Sequence, residues 1–72
     1  MKISLAQQID EIDRELKQRE NVYPRLVSTG RLRQSIADYQ VERLKAARKT
    51  LVWVLENKTE LRKHFNIEET DT

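Results

Sequence analysis

Six side chains near the middle of this 72-residue chain carry groups that hold anions: Tyr23, Arg25, Arg31, Arg33, Tyr39 and Arg43. A guanidinium fork matches carboxylate or phosphate, and a tyrosine ring stacks on a base or donates from its hydroxyl. A nucleotide or a nucleic-acid backbone suits such a set. The same residues also fit a plainer arrangement. Tyr23 and Tyr39 would then pack against each other, and the arginines would form a solvated tip. Seven basic and two acidic residues lie between positions 21 and 55, a net charge of +5. Residues 1–20 carry −1 and residues 56–72 carry −2. A basic centre between acidic ends can face an anionic ligand or the acidic segments of a second copy.

Other chemistry is poorly supplied. There is no Ser-His-Asp set, glycine-rich phosphate loop or HExxH motif, so a non-enzymatic protein is expected. His64 is the only histidine and cysteine is absent, so no metal site and no cofactor are expected. Carboxylates such as Asp10 and Asp13 lie on a water-exposed helix surface.

Two amphipathic segments must position these groups. Leu5, Ile9, Ile12, Leu16, Arg19 and Tyr23 alternate steps of four and three, the stripe of a coiled-coil-like helix. A second stripe runs through Ala37, Val41, Leu44, Ala47 or Arg48, Leu51, and Val54 or Leu55. The only glycine, Gly30, lies between them. The pattern predicts an all-α fold, an antiparallel helical hairpin over residues 1–65. Helix one is expected over about 5–29, helix two over about 33–64, and a flexible polar tail over 66–72. Folding about Gly30 pairs positions whose numbers add to about 60–63, which sets Tyr23 beside Tyr39 and Leu16 beside Leu44.

Local signals mark the ends. Ser4 and Gln7 form a capping box, and Gly30 suits the left-handed position past a helix end. Asp10→Arg14 and Asp13→Lys17 are spaced as ion pairs along the helix. Pro24 either stops helix one near Asn21 or kinks it; the apolar run Val22, Tyr23, Leu26, Val27 favours the kink. Asn57-Lys58-Thr59 is a weak point of helix two. If helix two is continuous it overhangs helix one, and Leu61 and Phe65 need another surface.

Thr50 to Leu55 is apolar all the way round a helical turn. Leu51, Val54 and Leu55 can face helix one, which turns Trp53 outward with Ala46 and Thr50. A helix apolar on every side is buried on every side, and a hairpin alone cannot do that. A chain this short rarely supplies more than about 3–5 kcal/mol from its own core. The expected interface between copies is therefore Ala46, Thr50, Trp53, Leu61 and Phe65, giving a homo-oligomer, most simply a dimeric four-helix bundle. The other reading leaves Trp53 partly exposed, or places Val52-Trp53-Val54 in a short strand.

The stretch Arg19-Glu20-Asn21-Val22-Tyr23-Pro24-Arg25-Leu26-Val27, followed by Gly30-Arg31-Leu32, Gln34 and Ala37-Asp38, resembles a family of small uncharacterised phage and prophage proteins. The likeness covers residues 5–55. The chain departs from the family pattern with Arg33 where a Ser or Thr cap is common, and with a longer C-terminal extension. The resemblance implies a phage accessory protein and carries no catalytic residues.

Three functions follow as expectations. The first is a phage-derived accessory protein acting by protein–protein interaction, inhibiting or adapting a host protein. The second is an oligomeric sponge for an anionic nucleotide. The third is a nucleic-acid-binding accessory factor. No apolar run reaches the roughly 18–20 residues of a membrane span, and Met1–Ser4 lacks a signal peptide's apolar region, so a cytoplasmic protein of the host cell is expected.

Overall fold

The computed structural model describes residues 1–65, the last of them by its backbone alone. Among the described residues there are two helices and no strand: α1, Leu5–Ser28, and α2, Gln34–Phe65. They pack against each other as a helical hairpin. The expected tail at 66–72 lies outside the described residues.

The ends of α1 are set by local chemistry. The Gln7 N–H donates to Ser4 Oγ at 3.1 Å, and the Ser4 N–H donates to Gln7 Oε1 at 2.8 Å. Ser4 is buried by this box. At the other end Gly30 takes φ +76°. That turn lets the Arg31 N–H reach the Leu26 carbonyl at 2.9 Å and the Gly30 N–H reach the Val27 carbonyl at 3.1 Å. These are the paired bonds of a Schellman ending, which satisfy carbonyls the helix would otherwise leave open.

Pro24 does not end α1. The helix continues for one more turn, to Ser28. Proline removes the bond that the Glu20 carbonyl would accept. Both Glu20 and Pro24 are exposed, so solvent can replace it. On the other side Leu26 and Val27 are half-buried and hold the last turn in place.

α2 begins without a side-chain cap. The Arg33 carbonyl accepts from Ala37 N–H at 3.0 Å and from Ile36 N–H at 3.1 Å. Gln34 Nε2 donates to Asp38 Oδ1 at 2.8 Å and braces the first turn. The helix runs through Asn57-Lys58-Thr59 unbroken. Val52, Trp53 and Val54 are helical, so the short-strand alternative does not occur.

The hairpin register agrees with the spacing argument. Arg48 Nε donates to Asp13 Oδ1 at 2.6 Å, with Nη2 at 3.4 Å from Oδ2. Asp13 is thus used across the hairpin rather than along its own helix to Lys17. Arg48, not Ala47, occupies the inward slot: it is half-buried while Ala47 is exposed. The Tyr23 hydroxyl donates to Gln40 Oε1.

The core is slight. Ile9 and Ala37 are the buried apolar residues among those described, and no side chain falls below 2% exposure. The principal extents are 51 × 22 × 15 Å. A helix with its side chains is about 10–12 Å across, so the hairpin is one helix thick. A stable domain normally stacks two layers around a core, and here only one is present. α2 exceeds α1 by eight residues, an overhang of about 12 Å.

Candidate functional site

A cleft of about 430 Å³ lies between the helices near the hairpin tip. Leu16, Tyr23, Pro24, Val27, Ala37 and Val41 form its apolar floor and walls. Its charged rim holds Arg19 and Lys45 against Glu20 and Asp38. Two cations and two anions leave no excess of positive charge there.

Arg19 sits at a stripe position where an aliphatic residue is usual. Its Nη1 donates to the Glu15 carbonyl at 3.1 Å and to the Glu15 carboxylate, and its guanidinium lies 5.9 Å from the centre of the Tyr23 ring. Its hydrogen bond to the Glu15 carboxylate raises the guanidinium pKa above its already high ordinary value, so Arg19 stays charged. Its Nε is buried with no hydrogen-bond partner.

The six anion-binding candidates are not gathered into one pocket. Tyr23 lies half-buried in the cleft, bonded to Gln40. Tyr39 is 61% exposed on the far side of α2, beneath Arg43, whose guanidinium is 5.5 Å from the ring centre. The expected Tyr23–Tyr39 contact therefore does not form. Tyr39 lies about 160° round α2 from Ala37, the residue that faces α1. Arg25, Arg31 and Arg33 are exposed at the tip, and among the described residues their side chains make no ion pair or hydrogen bond.

The interface candidates fare differently. Ala46, Thr50 and Trp53 lie together on the outer face of α2, all exposed, with Trp53 at 55%. Leu61 is half-buried on the overhang. The Phe65 side chain lies outside the described residues.

The outer stripe is longer than its three small and aromatic members suggested. Tyr39, Arg43, Ala46, Thr50, Trp53, Asn57 and Glu60 alternate steps of four and three, a second coiled-coil seam on the same helix. The same spacing rule that found the inner stripe also finds this one. Polar groups along it are already satisfied: Thr50 Oγ1 donates to the Ala46 carbonyl at 3.2 Å, and Asn57 Nδ2 donates to the Trp53 carbonyl at 2.8 Å. Covering this face therefore strands few donors. A shallow groove of about 390 Å³ runs beside it, lined by Lys45, Arg48, Lys49, Val52, Trp53 and Glu56.

Among the described residues no group of three or more His, Asp or Glu side chains could hold a metal ion. No helix among them is long and apolar enough to cross a membrane. No family model matches this chain, and no curated protein or solved structure matches it significantly.

Proposed function

We propose that this protein is a non-enzymatic binding module that acts by presenting the outer face of α2 to another polypeptide. The observation that carries this reading is the second seam on α2, with exposed Tyr39 and Trp53 on a hairpin one helix thick. Trp at the centre of a helical face is a common energetic anchor of protein interfaces. The likeness of residues 5–55 to small phage proteins, carried by the motif within residues 19–38, supports a phage accessory protein in the host cytoplasm, inhibiting or adapting a host protein.

The test is acrylamide quenching of Trp53 fluorescence, read with native mass spectrometry of the full chain and of Trp53→Ala. Burial of Trp53 in any assembly, and loss of that assembly in the variant, supports the reading. An assembly that forms with Trp53 still open to quencher refutes it.

One observation favours a second reading. Arg25, Arg31 and Arg33 are exposed at the tip and, among the described residues, unengaged, in the segment that carries +5. A nucleotide sponge or a nucleic-acid accessory factor would use them. Arg31→Ala with Arg33→Ala then abolishes anion binding and leaves assembly intact, and nucleic-acid affinity falls steeply with salt. Anion binding unaffected by the two substitutions removes the tip from consideration.

A further inference from the structure

We infer that the outer face of α2 docks a second copy of this chain, antiparallel, in one register: Thr50 opposite Trp53, Ala46 opposite Asn57, Arg43 opposite Glu60, and Tyr39 opposite His64. This rests on the reading of the outer face as an interface and adds its occupant and geometry.

Charge selects this register. The seam has two flanks. On one, every seventh residue is Glu42, Lys49, Glu56, Lys63, alternating in sign. On the other, the corresponding residues are Gln40, Ala47, Val54 and Leu61, none of them charged. In an antiparallel pair each flank meets its own counterpart. The register above sets Glu42 against Lys63 and Lys49 against Glu56, and the two-fold axis repeats both pairs. It also brings Arg43 to Glu60. Sliding either way by one heptad opposes like charges: Glu42 to Glu56 and Lys49 to Lys49 in one direction, Glu56 to Glu56 and Lys49 to Lys63 in the other. A slide of two heptads toward the tip keeps only Glu42 against Lys49 and leaves the helix beyond Trp53 uncovered. A parallel pair sets each charged flank against an uncharged one and stacks Arg43 on Arg43. Complementary flank charges of this kind set partner choice and orientation in coiled coils.

Features of the single chain agree. Lys49 and Glu56 are exposed and, among the described residues, take part in no ion pair. Both line the groove beside Trp53, which places Trp53 between the two charges that the register engages. In this register the overhang of α2, which α1 does not cover, would lie over the partner copy's tip-side turns around Tyr39 and Arg43. Within the chain Glu42 is only 3.7 Å from Lys45, and Glu60 lies 3.9 Å from Lys63 and 3.6 Å from His64. These are exposed, long pairs that exchange readily.

Sedimentation equilibrium of the full chain and three charge variants tests the inference. Lys49→Glu or Glu56→Lys turns two attractive pairs into two repulsive ones and weakens the dimer about tenfold. Carrying both changes in one chain restores affinity to within about threefold, and a mixture of the two single variants prefers the heterodimer. Because the chain has no cysteine, Ala46→Cys mixed with Asn57→Cys then reports the register directly: the mixed disulfide dominates. A monomer at submillimolar concentration overturns the second copy as occupant, without touching the outer face as an interface for another protein. A dimer indifferent to charge reversal, or one dominated by Ala46→Cys self-linkage, overturns the register. A dimer with Trp53 still freely quenched overturns the outer-face reading itself.

Discussion

Replacing Gly30 separates backbone geometry from packing more cleanly than any other change in this chain. At φ +76° an L-residue is strained, by about 1–2 kcal/mol. A Cβ built there meets no atom within 4 Å, so the cost contains no clash. Against it stands the entropy that a β-carbon removes from the unfolded chain, worth about 0.4–1 kcal/mol. Gly30→Ala should therefore destabilise by roughly 1 kcal/mol, a fall of about 4–8 °C in Tm for a domain of this size. D-alanine at the same position keeps the entropy gain and escapes the strain, so it should stabilise by about 0.4–1 kcal/mol. A 72-residue chain is within reach of chemical synthesis. The assay is urea denaturation followed by helical circular dichroism, at one fixed protein concentration because assembly adds stability by mass action. The slope should not change, since the exposed surface on unfolding does not. L- and D-alanine variants within about 0.5 kcal/mol of each other would refute the reasoning. The Schellman bonds from Gly30 and Arg31 would then not be what holds the turn.

Ser4→Ala removes one half of the capping box and should cost about 0.5–2 kcal/mol, with Gln7→Ala overlapping rather than adding to it; urea midpoints of the single and double variants check this. Ile9→Ala should cost about 2–4 kcal/mol, a large share of a core this small, and loss of helical signal at room temperature is an acceptable outcome while an unchanged midpoint is not. Arg19→Met removes a buried Nε that lacks a partner and keeps the stem's volume, so thermal denaturation should show an equal or higher Tm.

Much of the hairpin is legible because its determinants are local. A capping box needs only the sequence around Ser4, and the left-handed stop needs only Gly30. The inner stripes follow from helical periodicity, and folding one stripe on the other gives a register that Asp13–Arg48 and Tyr23–Gln40 satisfy. The same spacing rule applied once more to α2 exposes the outer seam and its alternating flank of charge.

Tertiary structure alone decided how each helix is turned about its own axis. A stripe is about 100° wide or more, so periodicity tolerates neighbours at its edge. Packing chose Arg48 over Ala47 because Asp13 stood across from it, and it sent Tyr23 into the cleft while Tyr39 went to the far side. That rotation is why six residues of the right chemistry do not converge into one anion pocket. The path through Pro24 was likewise undecided by local rules. One lost hydrogen bond argues for a stop, and the half-buried Leu26 and Val27 argue for continuation. Only the position of α2 beneath that last turn settles the balance.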